Sequence, residues 1–577
     1  MRQWEAIYDK WKNSEHLDDQ LKQELDAMRD QPDLLEDAFY TDLAFGTGGM
    51  RGVLGPGTNR MNRHTIRKAV HALGRYLKKH YVNVHDRGVA VSYDSRHMSR
   101  EFAVETAKVL GAHGMKAYVF DTLHPTPLLS FAVRYLGAAA GVMITASHNP
   151  PEYNGFKVYN DDGGQITPDE AAAITDEMAS IDDELTVPYL EQSELEAQER
   201  LIWVGRDIDH AYLKYLEAMS QLDSAEQKRA KDLQIVFTPL HGTAHHLVLS
   251  GLQRLHFHQV DVVEEQVEPD PAFSTVDSPN PEEHQAFTMA MQRGKQTQAD
   301  ILIATDPDAD RLGAAVKDAN GDYTVLTGNQ LGALLLDYIL KHTDRQLLAN
   351  ARMIKTIVTS ELGRRIAESY GVRTIDTLTG FKYIGEKIRQ FETTGETFLF
   401  GYEESFGYLI SDVVRDKDAV QAAIATCEMA YYWKKQGKTL DKALQSLYDA
   451  HGYYIEDMVS WKLTGKEGME TISDIMQAAR TETMADIGGM PVQTVEDYWA
   501  GERITPGKEQ TEPIKLPKDN VVKFLLAGDC WVCLRPSGTE PKLKCYVGVC
   551  GNHEAESRKR LTDLTAAMNE FLNRVSS

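Results

Sequence analysis

The sequence predicts an α/β protein of several domains that ends in a smaller α+β unit. Short apolar runs typical of strands are each followed at once by a loop rich in polar residues and glycine. Patterns typical of helices lie between these runs, and such alternation is characteristic of α/β domains with parallel or mixed sheets. A chain of 577 residues is too long for a single hydrophobic core, so we expect about three to five domains.

The N-terminal segment predicts a helix and no export signal. Trp4, Ile7 and Trp11 follow one another at helical spacing, and the apolar core of a signal peptide is missing. The most apolar stretch, 128–144, is interrupted by Arg134 and by glycine and is too short to span a bilayer. We therefore expect a helix end followed by a buried strand in this stretch, and a cytoplasmic protein.

Three later segments have apolar residues at intervals of three and four, as amphipathic helices do. They cover residues 67–81, 327–341 and 417–436. Polar connecting segments near 205, 322 and 455 mark the predicted domain boundaries. The predicted domains are 1–205, 206–322 and 323–455, all α/β, and 456–577, which is α+β.

The charge of the chain argues against two classes of partner. Acidic residues number 86 and basic residues 62, which gives a net charge of −24. Such an excess disfavours nucleic acid and an anionic membrane surface as the main partner. An anionic ligand must then be bound by local basic groups and backbone amides.

The cysteines indicate neither a disulfide framework nor a zinc site. Five cysteines in a chain of this length are too few for a disulfide framework. Cys530 and Cys533 would lie on opposite faces of a strand, which is a poor arrangement for sharing one metal. We expect reduced cysteines in the core.

A serine follows one of the strand-like runs. The segment TASHNPPEYNGFKVYN, 145–160, contains Ser147 with His148 beside it, and Pro150 and Pro151 prevent regular pairing just downstream. Ser147 is either a turn or N-cap residue, which is the common role of serine in such a segment, or a hydroxyl presented at the end of a strand for chemistry.

Three carboxylates follow a second strand-like run. TDPDADRLG places Asp306, Asp308 and Asp310 at alternate positions. A calcium EF-hand would need glycine and glutamate where this sequence has Arg311 and Lys317, so that interpretation fails. Three carboxylates at a strand end suit a hard divalent ion, and Mg²⁺ usually keeps positions open for phosphoryl oxygens.

A loop near the C-terminus offers groups that suit a phosphate dianion. RPSGTEPK contains the guanidinium of Arg535, the hydroxyls of Ser537 and Thr539, and the amide of Gly538. The same residue types also form ordinary surface turns.

Another loop offers groups that suit sugar hydroxyls. In GYEESFG, Glu403 and Ser405 are two residues apart and can face the same side. Taken alone, this pattern also fits a solvated turn. FGTGGMRG adds Arg51, and Lys157 and Lys382 are further candidate cations, although most lysines are simply solvated.

These loops follow the apolar runs GVMIT, ADILIAT, TFLF and WVCL. Ligands of open α/β sheets collect beyond the carboxyl ends of the strands. The four junctions therefore predict one composite cleft.

With these residues together, the sequence resembles the α-D-phosphohexomutase family. The similarity lies in TASHNPPEYNGFKVY, TDPDADRLG, GYEESFG and RPSGTEPK, preceded by FGTGGMRG, in family order across nearly the whole chain. The length, GTGGMRG and GYEESFG are most similar to the bacterial phosphoglucomutase branch. The resemblance implies four domains around a central cleft, three related α/β domains with mixed sheets and a C-terminal α+β domain.

The resemblance also implies roles for single residues. Ser147 matches the phosphoserine, and its phosphoryl oxygen completes a magnesium site formed by Asp306, Asp308 and Asp310. The four domains then carry, in order, the phosphoserine, metal-binding, sugar-binding and phosphate-binding loops.

The remaining matches concern the substrate. Glu403 and Ser405 match the family's residues that contact the sugar hydroxyls. Residues 535–539 match the loop that binds the non-reacting phosphate, and Arg51, Lys157 and Arg311 match residues near the transferring phosphoryl group. Some relatives have histidine where this chain has Gly407. The general base therefore stays open among Lys157, Lys382 and His148.

The expected activity is the interconversion of α-D-glucose 1-phosphate and glucose 6-phosphate, with one Mg²⁺ per chain and glucose 1,6-bisphosphate as intermediate and activator. Mannose or pentose phosphates are alternative substrates, and a sugar-phosphate-binding phosphoprotein without turnover is a further alternative. We expect a sugar phosphate as the ligand, no nucleic acid or membrane partner, and a monomer or weak homodimer.

Overall fold

Two units make up the chain in the computed structural model, which describes residues 2–46, 48–318, 320–463, 465–482, 484–508, 510–537 and 542–576. The first unit contains Met1–Gly328 and Phe381–Gly437. The second unit contains Asn329–Gly380 and Lys438–Ser577.

Helices begin the first unit, as the spacing of Trp4, Ile7 and Trp11 predicts. They are α1 (Gln3–Lys12), α2 (Asp19–Ala27) and α3 (Pro32–Phe39). The fully buried indole of Trp11 donates a hydrogen bond of 2.6 Å to Oε1 of Glu184. This contact ties α1 to the α/β part of the same unit.

A mixed six-stranded sheet follows. Its strands are β1 (Gly49–Val53), β2 (Val89–Tyr93), β3 (Ala117–Phe120), β4 (Ala140–Ile144), β5 (Tyr153–Tyr159) and β6 (Leu201–Val204), in the order β1-β5-β4-β2-β3-β6. The helices are α4 (Arg63–His80), α5 (Val84–Arg87), α6 (Ser99–Ala112), α7 (Thr126–Leu136), α8 (Pro168–Ala179) and α9 (Gln192–Ala197). Strands β2 and β4 are buried at every position, as expected for parallel strands covered on both faces.

The stretch 128–144 is a helix end followed by a buried strand, which confirms the prediction. Helix α7 ends at Gly137, which has a left-handed backbone with φ 63°. Strand β5 then runs antiparallel to β4 and places Lys157 opposite Met143.

A second mixed sheet lies within residues 206–328. Its strands are β7 (Ile235–Thr238), β8 (Val260–Val262), β9 (Ile301–Thr305), β10 (Leu312–Lys317) and β11 (Tyr323–Val325), in the order β11-β10-β9-β7-β8. The helices are α10 (Arg206–Met219), α11 (Ser224–Gln227), α12 (His245–Arg254) and α13 (Thr288–Thr297). Short 3₁₀ turns cover Glu184–Thr186, Glu264–Gln266 and His284–Phe287.

Residues 328–451 contribute to both units. The elements are α14 (Gly328–His342), α15 (Arg345–Leu348), β12 (Ala351–Thr356), α16 (Leu362–Ser369), β13 (Arg373–Thr377), α17 (Phe381–Thr394), β14 (Thr397–Glu403), β15 (Gly407–Leu409), α18 (Ala419–Lys435) and α19 (Leu440–His451). In the second unit β12 and β13 are parallel, and in the first unit β14 and β15 are antiparallel. Helices α4, α14 and α18 confirm the three predicted helical segments.

The C-terminal part is an antiparallel sheet with helices, as the α+β prediction states. Its strands are β16 (Tyr453–Lys462), β17 (Asp486–Ile487), β18 (Met490–Asp497), β19 (Glu502–Ile504), β20 (Glu512–Pro513), β21 (Val522–Leu526), β22 (Trp531–Pro536) and β23 (Lys542–Gly551). The main order is β16-β23-β22-β21-β18-β19-β20, and β17 pairs with β18. Side chains of α20 (Gly465–Thr481) and α21 (Glu554–Ser576) form one core with this sheet.

A buried carboxylate begins helix α18 in the first unit. The side chain of Asp418 accepts 2.9 Å from the amide of Gln421 and 2.7 Å from the hydroxyl of Tyr212. Burial raises the pKa of Asp418 from its ordinary 3.8 to about 6. The folded chain therefore binds a proton here more tightly than the unfolded chain does, and this residue's contribution to stability is lost as the pH rises from about 4 to about 6.

Asp418→Asn is expected to remove this loss while keeping the N-cap, because asparagine caps a helix as well as aspartate. The gain in the free energy of unfolding over wild type should be near zero at about pH 4 and on the order of 2 kcal/mol at about pH 7. Urea unfolding at the two pH values measures it.

Asp223→Asn is the matched control. Asp223 is an exposed N-cap whose pKa is lowered by hydrogen bonds from the amides of Glu226 and Ala225. Its amide variant should differ from wild type in the opposite sense as the pH rises. A gain for Asp418→Asn that is equal at both pH values would contradict the prediction.

Among the described residues, no helix combines the length and the apolar character that crossing a bilayer requires.

Candidate active site

Ser147 lies outside regular structure, directly beyond the buried strand β4. Its backbone is left-handed, with φ 52°, and its amide donates 2.8 Å to Oγ1 of Thr145. The residue is 3% exposed. The left-handed conformation is costly for a residue other than glycine, so the surroundings must hold Ser147 in place.

The three aspartates lie together in the loop after β9. Asp306 and Asp308 are fully buried and Asp310 is 3% exposed. One carboxylate oxygen from each lies within 4.8 Å of the other two. The hydroxyl of Ser147 donates 2.9 Å to Oδ2 of Asp306. The structure thus brings two of the predicted loops, which follow strands of two different sheets, to one point of the first unit.

Backbone groups shape the aspartate loop. The amides of Asp310 and Arg311 donate 3.1 Å and 3.0 Å to Oδ1 of Asp306. A Cβ atom on Gly242 would lie 2.5 Å from Cα of Pro307. Glycine therefore lets the segment after β7 lie directly against the loop and support it.

Two lysines neutralise part of this charge. Nζ of Lys157 lies 2.8 Å from Oδ2 of Asp308 and 3.6 Å from Oδ2 of Asp310. Nζ of Lys417 lies 3.1 Å from the same oxygen of Asp310. Lys157 is one of the predicted site residues, whereas the sequence analysis did not single out Lys417.

The carboxylates and the lysines shift one another's pKa values. Burial, together with Asp310 and Asp308, raises the pKa of Asp306 well above its ordinary value. Burial alone would also raise the pKa of Asp308, but Lys157 holds it well below that value. Burial alone would lower the pKa of both lysines, but the aspartates raise it, so both stay charged.

The aspartates fit a divalent cation. Oδ1 of Asp308 and Oδ1 of Asp310 are buried and have no hydrogen-bond partner among the described residues. Buried polar atoms without a partner are costly, and a hard cation bound to carboxylate oxygens satisfies them. The hydroxyl of Ser147 lies at the same cluster, 2.9 Å from Oδ2 of Asp306.

His148 and Arg51 lie beside Ser147. Nδ1 of His148 is 3.2 Å from the hydroxyl oxygen of Ser147. Burial, with the charges of Arg311 and Arg51, lowers the pKa of His148 to about 2 and keeps its ring neutral. Arg51, on β1, donates 2.8 Å to Oδ1 of Asn149 in the serine-bearing segment.

The predicted sugar loop lies next to the aspartate loop. Glu403 ends β14 and pairs with Gly407 at the start of β15, and Ser405 lies in the turn between them. The carbonyl of Phe406 accepts 3.0 Å from the amide of Leu312, the residue that begins β10 after the aspartate loop. The site therefore includes the third predicted loop.

The side chain of Lys417 occupies the space beside Gly407. A Cβ atom on Gly407 would lie 2.2 Å from Cδ of Lys417. The missing side chain at 407 lets the lysine pass and reach Asp310.

The remaining predicted residues are Lys382, in the first unit, and those of the C-terminal loop, in the second unit. Lys382 is in the first turn of α17, with its ammonium 5.1 Å from the ring centroid of Tyr383. In the second unit Arg535 lies on β22, and the amide of Ser537 donates 2.7 Å to the carbonyl of Lys542. Gly538 and Thr539 lie outside the described residues.

Three further residues belong to the site and were missed in the sequence. Oγ1 of Thr126, at the start of α7, donates 2.8 Å to Oδ2 of Asp308. Glu282 forms an ion pair with Arg311. The third is Lys417. Nothing in a single sequence distinguishes these residues from the many other threonines, glutamates and lysines.

Comparison with protein families accounts for most of the chain. The models described as phosphoglucomutase/phosphomannomutase match in four consecutive parts: alpha/beta/alpha domain I at 42–185, domain II at 210–321, domain III at 327–451, and the C-terminal domain at 479–569. The chain belongs to the phosphoglucomutase/phosphomannomutase family. The predicted architecture of three α/β domains and a different C-terminal domain is confirmed.

Curated members of the phosphoglucomutase/phosphomannomutase family include close relatives. A phosphoglucomutase of Staphylococcus aureus strain bovine RF122 / ET3-1 is 41% identical over 526 residues, which are 91% of this chain and 92% of the relative. The phosphoglucomutase of strain MRSA252 is 40% identical over 515 residues, 89% of this chain and 90% of the relative.

Solved structures of the family share the fold. A phosphoglucomutase/phosphomannomutase family protein of Burkholderia thailandensis matches with a TM-score of 0.66 and 18% identity, covering 91% of this chain and 97% of that one. The phosphoprotein pp63/parafusin of Paramecium matches with a TM-score of 0.66 and 17% identity, covering 93% and 95%.

Proposed function

We propose that this protein is a phosphoglucomutase that interconverts α-D-glucose 1-phosphate and glucose 6-phosphate. The observation that carries the proposal is the 2.9 Å contact between the hydroxyl of Ser147 and Asp306 within the cluster of three aspartates. A hydroxyl at a carboxylate cluster that fits a divalent cation suits a phosphoryl carrier. The relatives named phosphoglucomutase support the choice of sugar.

In this proposal Ser147 carries the phosphoryl group in the resting enzyme. Asp306, Asp308 and Asp310 would hold one Mg²⁺, and glucose 1,6-bisphosphate would act as activator. When bound, the cation supplies positive charge at the oxygens of the transferring group. Lys157 and Arg51, on adjacent strands, add positive charge on the protein's side.

The first transfer forms a bisphosphate. The 6-hydroxyl oxygen of glucose 1-phosphate bonds to the phosphorus on Ser147, and the bond from phosphorus to Oγ breaks. The sugar hydroxyl gives up its proton, and Oγ of Ser147 leaves with the electron pair and takes up a proton. The candidates for accepting the proton of the sugar hydroxyl and for donating one to Oγ of Ser147 are still Lys157, Lys382 and His148. Lys417 is a further candidate because it lies at Asp310.

The second transfer reverses the chemistry at the other end of the sugar. After glucose 1,6-bisphosphate turns end for end, Oγ of Ser147 gives up its proton and bonds to the phosphorus of the 1-phosphate. The bond from that phosphorus to the C1 oxygen breaks, the C1 oxygen takes up a proton, and glucose 6-phosphate leaves. The serine is phosphorylated again, so the enzyme is unchanged. Turning requires the site to loosen, whereas transfer requires exclusion of water.

Glu403 and Ser405 would bind the sugar hydroxyls, and Arg311 would lie near the transferring group. Residues 535–539 would bind the phosphate that does not react. The cytoplasmic location, the monomeric or weakly dimeric state, and the domain boundaries near 205, 322 and 455 remain predictions.

Two measurements test the proposed function. Mass spectrometry of the purified protein should find part of Ser147 phosphorylated. An assay with glucose, mannose, glucosamine and ribose 1-phosphates should give the highest kcat/KM for glucose. Absence of mutase activity with all four, in the presence of Mg²⁺ and the bisphosphate, would reject the proposal, and a preference for another sugar would correct the substrate.

Arg535→Ala should weaken substrate binding. Loss of a charge-assisted contact to phosphate costs on the order of 1.5 to 3 kcal/mol, so apparent affinity should fall by roughly ten-fold to a hundred-fold. Steady-state kinetics with glucose 1-phosphate measures it. Arg558→Ala, at an exposed arginine paired with Glu554 on α21, is the control. An unchanged KM in Arg535→Ala would show that this loop does not bind the phosphate.

A further inference from the structure

One arginine, Arg96, contacts much of the serine-bearing segment through its backbone. The guanidinium donates to the carbonyls of Ser147 at 2.5 Å, Pro150 at 2.8 Å and Tyr153 at 3.1 Å. It also donates to the carbonyl of Asn149. A single side chain thus binds three carbonyls between β4 and β5 and the carbonyl of the first residue of β5.

Arg96 is itself held from two sides. Its side chain and that of Asp94 are fully buried, with 3.5 Å between Nε and Oδ2 of the aspartate. The other oxygen of Asp94 accepts from the amide of Arg96 at 3.0 Å and from Oγ of Ser99 at 2.7 Å. The ring of Phe273 lies 4.9 Å from the guanidinium carbon. The guanidinium is therefore held in place by contacts other than those with the serine-bearing segment.

The serine-bearing segment needs such support. Ser147 has a left-handed backbone, which costs a residue other than glycine roughly 1 to 2 kcal/mol. Residues 145–152 belong to no strand, so no strand pairing fixes the carbonyls of Ser147 and Asn149. A loop fixed only at its two ends would allow the hydroxyl to move by more than phosphoryl transfer tolerates.

We propose that Arg96 is a positioning residue for phosphoryl transfer at Ser147. It fixes the carbonyls of the segment and so keeps the serine oxygen at its distance from Asp306. This inference rests on the proposed function, because it assumes that Ser147 carries the phosphoryl group. Arg96 does not contact the serine hydroxyl, so it acts through the backbone.

The chemistry of the contact explains why an arginine stands here. A guanidinium has five N–H donors in a rigid plane, and four carbonyls and a carboxylate surround it. A lysine has three donors at a single point and cannot reach acceptors spread over seven residues. Arg96→Lys therefore keeps the charge and most of the apolar stem but loses the geometry.

The test compares two substitutions of Arg96 with Arg67→Ala. Arg67 is also a buried arginine of the first unit, and it pairs with Glu105 at 2.6 Å and lies over the ring of Tyr189, away from the serine segment. For each purified protein we would measure kcat and KM for glucose 1-phosphate, the thermal midpoint, and the single-turnover rate at which dephosphorylated enzyme takes up label on Ser147 from glucose 1,6-bisphosphate.

Arg96→Ala should lower kcat and the labelling rate together by roughly a hundred-fold, the effect expected of a displacement of about 1 Å at a reacting atom. KM should change by less than about three-fold, because Arg96 makes no proposed substrate contact. Added guanidinium chloride at millimolar concentration should restore part of the labelling rate, and sodium chloride at equal ionic strength should not. Arg67→Ala should lower the thermal midpoint without changing the labelling rate or responding to guanidinium.

Arg96→Lys keeps the proposal testable if the alanine variant does not fold. It should fold and should lose at least about ten-fold in the labelling rate. A labelling rate equal to wild type in Arg96→Lys, or a loss in Arg96→Ala confined to the thermal midpoint, would overturn the proposal. Failure of the wild type to become labelled on Ser147 would instead reject the proposed function.

Discussion

Ser147→Ala is expected to abolish mutase activity while leaving a folded protein. Alanine has no oxygen to accept or return a phosphoryl group, so kcat should fall by on the order of 10⁴-fold or more, as after loss of a covalent nucleophile in other enzymes. Stability should change only modestly, since the lost hydroxyl has two hydrogen-bond partners, Asp306 and His148, and each such bond is worth about 1 kcal/mol. A turn or N-cap role for Ser147 would give the reverse result, with lower stability and intact catalysis.

The bisphosphate sharpens this experiment. Dephosphorylated wild type should be inactive on glucose 1-phosphate alone and recover when a little glucose 1,6-bisphosphate is added. Ser147→Ala should never recover. Ser92→Ala, at a buried serine of β2 that donates to the carbonyl of His124, is the matched control and should keep its activity. Recovery of Ser147→Ala with the bisphosphate would mean that another residue carries the phosphoryl group.

Asp308→Asn is expected to have the second largest effect. The amide oxygen can still accept from Lys157 and Thr126, as Oδ2 of Asp308 does in the wild type. The amide nitrogen would replace Oδ1, which is buried without a hydrogen-bond partner among the described residues and which we assign to the cation. Loss of one carboxylate ligand should lower kcat by roughly 10²-fold to 10³-fold.

Metal titration distinguishes this loss from a folding defect. Wild type treated with a chelator should be inactive and recover with Mg²⁺, whereas Asp308→Asn should need far more Mg²⁺ or fail to recover. Asp300→Asn is the control, because Asp300 lies just before the other end of β9, where it accepts from Lys434 and the amide of Gln234. Full activity of chelated wild type would contradict the assignment of the cation site.

Much of the fold could be predicted because it depends on local patterns. The apolar spacing of 67–81, 327–341 and 417–436 predicts helices, and α4, α14 and α18 form there, with α14 and α18 buried on nearly every side. The apolar runs before the functional loops are strands, as β4 and β9 show. Such patterns report which residues avoid water, and this requirement is local.

The site could be predicted in part for a related reason. A strand end followed at once by polar residues indicates where side chains leave the core, and this signal finds Ser147 and the aspartates. The same signal is present in SYDSR, after β2, and could have identified Asp94 and Arg96. Arg96 acts on backbone carbonyls and Asp94 acts on Arg96, and no side-chain pattern reveals such contacts.

Lys417 and Thr126 could not be predicted from the sequence. Lys417 reaches Asp310 across more than a hundred residues of chain, and Thr126 reaches Asp308 in the same way. Such contacts depend on how whole domains pack. A single sequence does not contain this information in any local form.

The close approach of Lys417 to Gly407 links the evolution of two positions. Any side chain at 407 would meet the aliphatic part of the lysine, so a mutation at 407 requires the lysine side chain to move. Loss of the lysine alone leaves Asp310 with one cation fewer and gains nothing at 407. A lineage that exchanges this glycine for a residue with a side chain must therefore also change how position 417 packs. Glycine at 407 and lysine at 417 are thus expected to be exchanged together.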